Sequence, residues 1–191
     1  MNNIAILILA AGKSSRMGSV KQLLSYKNTT LLGWTIETVQ KLKKEDIFCV
    51  LGAYAKNIEK EVSKYNIETI FNSKFETGLS SSIVNGIEYL KNRNYSSVLI
   101  LLADQPKITS TYINVLIKKS IENPTKIIAA NYSNHNGVPA IFPKPFFTEL
   151  LKLKGDKGAK DLLKNTNQII SIPFKELSDI DTQEEYQKLI K

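Results

Sequence analysis

Ile4-Ala5-Ile6-Leu7-Ile8-Leu9-Ala10-Ala11-Gly12-Lys13-Ser14-Ser15-Arg16-Met17-Gly18-Ser19-Val20-Lys21 is the stretch that decides the architecture of this chain. Six apolar residues followed by small ones and a glycine fit a strand covered on both faces. Small residues just past its carboxyl end let backbone N–H groups come close to a ligand. Phosphate suits such a loop, because Arg16 and Lys21 add positive charge beside the amides. An ordinary strand-to-helix turn with solvated basic side chains fits the same spacing. Two better-known phosphate loops do not fit. A Walker A loop needs glycine five positions before its Gly-Lys-Ser, and Leu7 stands there, so Gly12-Lys13-Ser14 is a chance match. The dinucleotide fingerprint fails because Ser14 occupies the place of its second glycine.

The 191 residues suit one α/β domain with a substantial core. The longest apolar stretch, Ile4 to Ala11, is far shorter than the roughly 20 residues of a membrane helix. No basic, cleavable leader precedes it, so a cytoplasmic protein without membrane partners is expected. Cys49, flanked by Phe48 and Val50, reads as a buried strand residue rather than a nucleophile, and a single cysteine makes no internal disulfide. His135 is the only histidine, which excludes histidine-rich metal sites and leaves a divalent ion to carboxylates and phosphate oxygens. The net charge of +8 is almost all lysine, with Arg16 and Arg93 as the arginines. Lys41-Leu42-Lys43-Lys44 and Lys118-Lys119 lack interleaved aromatics, so no nucleic-acid partner is expected, whereas anionic small substrates gain from the field.

Apolar, β-rich runs recur at Ile4 to Leu9, Ile47 to Leu51, Glu68 to Phe71, Val98 to Leu102, Lys126 to Ala130 and Gln168 to Ile172. Between them lie helical stripes: Ile36, Val39 and Leu42; Ile83, Ile87 and Leu90; and Ile113, Leu116, Ile117 and Ile121. This alternation predicts a mostly parallel sheet with helices on both faces, with ligands at the carboxyl ends of its strands.

Strand Val98 to Leu102 runs into Ala103-Asp104-Gln105-Pro106, which places an acid at such an end. Capping the following helix suits Thr109 or Ser110 better, because Asp104 lies too far upstream and Pro106 intervenes. Asp104 is therefore read as a metal ligand. In Asp179-Ile180-Asp181-Thr182, Asp181 or Thr182 is also a good cap for the terminal helix, with Glu184 and Glu185 in its first turn. Gly78-Leu79-Ser80-Ser81-Ser82-Ile83 offers hydroxyls at a helix start, for reading a base or for capping.

Leu9-Ala10-Ala11-Gly12-x-Ser14-x-Arg16-Met17-Gly18-x-x-Lys21-Gln22-Leu23-Leu24, Leu102-Ala103-Asp104-Gln105-Pro106 and Asp179-Ile180-Asp181-Thr182 together resemble the MobA/MocA-like NTP-transferase family. Within it the chain is most similar to molybdenum cofactor cytidylyltransferases, through Ala10-Ala11-Gly12 and Asp104-Gln105-Pro106. Gly137-Val138-Pro139-Ala140-Ile141-Phe142 and Gly155-Asp156-Lys157-Gly158-Ala159-Lys160 match further. The resemblance implies a three-layer, Rossmann-like nucleotidyltransferase fold of GT-A type. It implies nucleotide binding by Leu9, Ala10, Ala11, Gly12, Arg16, Lys21 and Asp104, with magnesium on Asp104 and Asp181. Arg16, Lys21 and Asp104 would be catalytic. Ser82-Ile83-x-x-Gly86-Ile87 is similar to a cytosine-contacting segment of other cytidylyltransferases, which makes Ser82, Ser81 and Asn72 base-reading candidates. The implied substrates are CTP and a phosphorylated pterin, with a molybdoenzyme as a further partner. Val138 departs from the family, which often carries histidine before that proline. Guanylyl transfer, transfer to another small phosphate, and a non-catalytic cofactor chaperone are the alternatives.

Overall fold

A computed structural model describes residues 3–15, 17–43, 46–175 and 179–191. The opening apolar run forms β1 (Ile4–Leu9), and all six of its residues are buried. Its side chains divide by parity, as a strand covered on both faces requires. Ile4, Ile6, Ile8 and Ala10 join one apolar cluster, and Ala5, Leu7, Leu9 and Ala11 join the other.

After a two-stranded hairpin, β2 (Ser25–Tyr26) and β3 (Thr29–Thr30), come α1 (Leu31–Gln40), β4 (Asp46–Leu51), α2 (Ala55–Val62) and β5 (Glu68–Phe71). Then follow α3 (Leu79–Leu90), β6 (Ser97–Leu102), α4 (Ser110–Glu122), β7 (Ile127–Asn131) and β8 (Asn136–Pro143). The short α5 (Phe147–Leu150) and α6 (Lys160–Asn165), β9 (Ile169–Pro173) and α7 (Gln183–Ile190) complete the order.

The main sheet runs β5-β4-β1-β6-β8-β7-β9, and β8 alone among these strands pairs antiparallel with its neighbours. Helices α1, α2 and α4 supply Ile36, Ile58 and Leu116 to one face. Helices α3, α5 and α6 supply Ile87, Leu150 and Leu163 to the other, giving three layers. The expected α/β fold is the one observed.

Three details differ from expectation. Strand β8 was not anticipated, because Pro139 inside an apolar run argues against a central strand. The register with β7 passes from Ala129↔Ala140 to Ala130↔Gly137, so Val138 and Pro139 fall in a bulge where no ladder N–H is required. Leu42 lies beyond the end of α1, although it still packs against the core. Ile121 is 54% exposed, because Ser120 takes the inward position in the last turn of α4. Cys49 is fully buried in β4, and burial pushes its thiol up to about 12.

Successive parallel strands run outward from β1 through β4 to β5, whereas β6 lies on its other side. The strand order therefore reverses between β1 and β6, where an open α/β sheet forms its ligand crevice at the carboxyl ends. Ala103 N donates to Leu9 O at 3.2 Å, which holds the two strand ends together.

Candidate functional site

Beyond β1 the chain keeps its place through Ala10 N donating to Val50 O (2.9 Å) and Ala53 N donating to Ala11 O (3.1 Å). The loop then folds around Gln22, a polar side chain that is only 3% exposed. Its amide donates to Ala10 O (3.2 Å) and Gly12 O (3.0 Å). Its carbonyl accepts from Ser14 Oγ (3.1 Å), and that hydroxyl in turn accepts from Lys21 N (3.1 Å). Both ends of the loop are thus fastened to one buried amide, which sets where Lys21 begins. Arg16, expected at the triphosphate, lies outside the described residues.

Lys21 points inward. Its ammonium lies 2.5 Å from Asp104 Oδ2 and 2.8 Å from Asp181 Oδ1. Burial pulls the Lys21 pKa down, but Asp104 and then Asp181 outweigh it, so the ammonium is held above its ordinary value. Burial lifts the Asp104 carboxyl above the usual carboxylate value against the pull of Lys21, with Asp179 and Asp181 adding like charge. The other oxygen, Asp104 Oδ1, is buried and has no hydrogen-bond partner among the described residues.

Asp181 reaches this place by a long route. Ile180 N donates to Asp104 O at 3.1 Å, which lays the 179–181 segment across the end of β6. Ile180, Tyr186, Met17 and Leu31 form a small apolar cluster, and the Tyr186 hydroxyl donates to Ser25 O at 2.8 Å. Thr182, not Asp181, caps α7, in a capping box with Glu185. That leaves the Asp181 carboxylate to face Lys21.

A cavity of about 520 Å³ opens at this point, lined by Leu9, Ala11, Gly12, Ser14, Lys21, Ser82, Asp104 and Asp181 among others. Ala10 does not line it, because its side chain turns to the opposite face and only its backbone serves the loop. Asn72 and Ser81 do not line it either. Asn72 supports Ser82: its amide donates to Ser81 Oγ (2.8 Å) and Ser82 Oγ (3.2 Å), its Oδ1 accepts from Lys74 N, and Ser81 Oγ donates to Gly78 O (2.8 Å). Gly78 opens α3 at φ 105°, and a Cβ there would stand 2.6 Å from the Gly155 backbone. Ser80, fully buried, donates to Lys154 O (3.1 Å) and ties the same two segments together. Gly155 opens the motif Gly155-Asp156-Lys157-Gly158-Ala159-Lys160, to which the sequence assigned no role.

A second cavity, of about 550 Å³, adjoins the first and shares Leu9, Leu79, Leu102, Asp179 and Asp181 with it. Tyr132 and His135 stack on its β7–β8 side, with ring centroids 5.5 Å apart. Gln105, 4% exposed, lines this second cavity and donates to Asp179 Oδ1 (2.8 Å) and Val138 O (3.1 Å). In the sequence Gln22 and Gln105 stand inside the quoted motifs without a role of their own, and Ser80, a hydroxyl at the helix start, braces the neighbouring segment. A glutamine directly after the loop lysine and another directly after the acid were the available signals.

Among the described residues no group of three or more His, Cys, Asp or Glu could hold a metal. Two carboxylates that meet at one point, one with a buried oxygen still to be satisfied, do suit a hard divalent cation whose other ligands come from phosphate and water. No described helix is long and apolar enough to cross a membrane.

The purine catabolism protein PucB of Bacillus subtilis (strain 168) is 27% identical over 193 residues, covering 94% of this chain and 92% of PucB. The bifunctional protein GlmU of Francisella tularensis subsp. novicida (strain U112) is 28% identical over 87% of this chain, which spans only 36% of GlmU. The crystal structure of Rv0371c from Mycobacterium tuberculosis H37Rv superposes with a TM-score of 0.87 at 26% identity, covering 99% of this chain and 97% of that one. A second Rv0371c structure, a complex with manganese, gives 0.83 at 23% identity, covering 99% and 98%. The MobA-like NTP transferase domain model matches residues 6–169, a span that takes in the loop and Asp104 and stops short of Asp181. The chain belongs to the family of MobA-like NTP transferase domains.

Proposed function

We propose that this protein transfers CMP from CTP to the terminal phosphate of a molybdopterin-type substrate, releasing pyrophosphate. The observation that carries the nucleotidyl-transfer reading is the part-buried Asp104 carboxylate, with one buried and unsatisfied oxygen, facing a cationic loop across a nucleotide-sized cavity. The triphosphate lies along the loop that Gln22 shapes, and Ser82, backed by Asn72, reads the base. The choice of CTP rests on the Ser82-Ile83-x-x-Gly86-Ile87 resemblance. The acceptor occupies the adjoining cavity, where the stacked Tyr132 and His135 offer a flat wall to a planar ring.

The attacking phosphate oxygen is already anionic, so no general base is needed. A new P–O bond forms at the α-phosphorus as the bond to the β-phosphate oxygen breaks, and pyrophosphate carries the charge away. What the protein supplies is position and charge neutralisation. Lys21 stabilises charge on the departing pyrophosphate, and Arg16 is proposed for the same task. Asp104 and Asp181 would hold magnesium, which polarises phosphate oxygens and keeps the two reactants in line.

Val138 gives the acceptor side a second reading. Its side chain packs against the apolar cluster where the family often carries histidine, and the relative PucB is named for purine catabolism. Another NTP, or another small phosphate acceptor, is therefore the alternative. Pyrophosphate release measured with CTP, GTP, UTP or ATP, magnesium and a molybdopterin preparation tests all of these. A kcat/KM for CTP that exceeds the others by at least tenfold is expected. Tight binding without any pyrophosphate release would instead mark a carrier of the cofactor.

A further inference from the structure

The Lys21 ammonium occupies the point on which two proposed metal ligands converge. It lies 2.5 Å from Asp104 and 2.8 Å from Asp181, and its side chain is only 12% exposed, so it is packed there. A divalent cation bridging the same two carboxylates needs that point or one beside it. Ammonium and dication then compete for the same oxygens, with like charges repelling at close range. Asp104 Oδ1, buried and without a partner among the described residues, offers the entering ion one ligand atom that Lys21 does not hold.

We propose that Lys21 is a resident counter-ion that keeps the metal position closed until a nucleotide arrives, so that metal and triphosphate enter together. The inference rests on the metal site proposed above and adds its regulation. The triphosphate presents anionic oxygens along the loop from which Lys21 projects. Lys21 swings from the carboxylates to those oxygens, and the vacated carboxylates receive the cation. One side chain thus has two anionic addresses, and the nucleotide decides between them. A consequence follows for the free protein: it should bind metal poorly, although two of the ligands are already in place.

The test is manganese titration of the nucleotide-free protein, followed by loss of the free Mn²⁺ signal in electron paramagnetic resonance. Lys21→Met, which keeps the bulk and removes the charge, should bind Mn²⁺ at least tenfold more tightly than wild type. Lys21→Gln serves as the second variant if Lys21→Met does not fold, and should gain in the same direction. Adding Asp104→Asn to either variant should abolish the gain. Equal or weaker Mn²⁺ binding by the folded Lys21 variants, with wild type plus CTP removing more free Mn²⁺ than CTP alone, overturns the resident counter-ion and leaves the metal site standing. No loss of free Mn²⁺ beyond that caused by CTP alone when wild type is present, and none with the variants in the absence of CTP, overturns both.

Discussion

Replacing Gln22 by alanine should loosen the phosphate loop, and the size of the effect can be worked from its contacts. The buried bond to Ala10 O leaves a carbonyl that water cannot easily reach, a loss of about 1–3 kcal/mol. The part-buried bonds to Gly12 O and from Ser14 Oγ contribute about 0.5–1.5 kcal/mol each. A total of about 4 kcal/mol is expected. In urea unfolding this lowers the midpoint by about 1.3 M, for an m-value of about 3 kcal/mol/M. Gln22→Glu is the sharper probe because it changes no volume. It points an oxygen at two carbonyl oxygens in place of the amide nitrogen, so at pH 7 it should cost as much as alanine or more. Burial and those carbonyls raise the folded pKa of the new carboxyl above its unfolded value of about 4.3. The protonated form can donate to one carbonyl. Its stabilisation is therefore present below the unfolded pKa and lost as pH rises through the folded one. The gap to wild type should narrow on acidification. A Gln22→Ala protein within about 0.5 kcal/mol of wild type, a difference usual for an unimportant surface position, would refute the claim that this amide holds the loop.

Asp104→Ala should abolish pyrophosphate release while far-UV circular dichroism stays that of wild type; unchanged turnover would remove Asp104 from the chemistry. Thr182→Ala breaks the capping box of α7 and should cost about 1 kcal/mol, read from thermal unfolding. No change there would mean that Glu185 and the Tyr186 contacts alone hold α7. Cys49, its thiol pushed up to about 12 by burial, should react with a chromogenic disulfide at pH 8 only after unfolding in denaturant. Rapid labelling of the native protein would place Cys49 outside the core.

The parts that could be read from sequence are those where local pattern and burial agree. An unbroken apolar run such as Ile4 to Leu9 permits few other placements, and the spacing of Ile83, Ile87 and Leu90 fixes which side of α3 turns inward. Loop and acid were legible because each directly follows a buried strand. Strand β8 was not, because the residue that argues against it, Pro139, sits in a bulge that appears only once β7 is alongside. Gln22 and Gln105 stand in the quoted motifs, but their roles were not legible for a related reason. A glutamine carries no periodic signal, and its importance depends on which carbonyls lie near it after folding.

The Asp181 ambiguity shows the same limit from the other side. Thr182 and Asp181 are both good helix caps, and nothing within a few residues chooses between them. The choice is made by a backbone bond from Ile180 to Asp104, across a sequence separation that no local rule spans. Once that bond sets the segment, Thr182 falls at the cap and Asp181 is turned toward Lys21. The terminal segment thus contributes a carboxylate to a site whose loop and first acid come from strands β1 and β6. Anything that detaches α7 should therefore act on the site as well as on stability, because the apolar cluster of Met17, Leu31, Ile180 and Tyr186 fixes both.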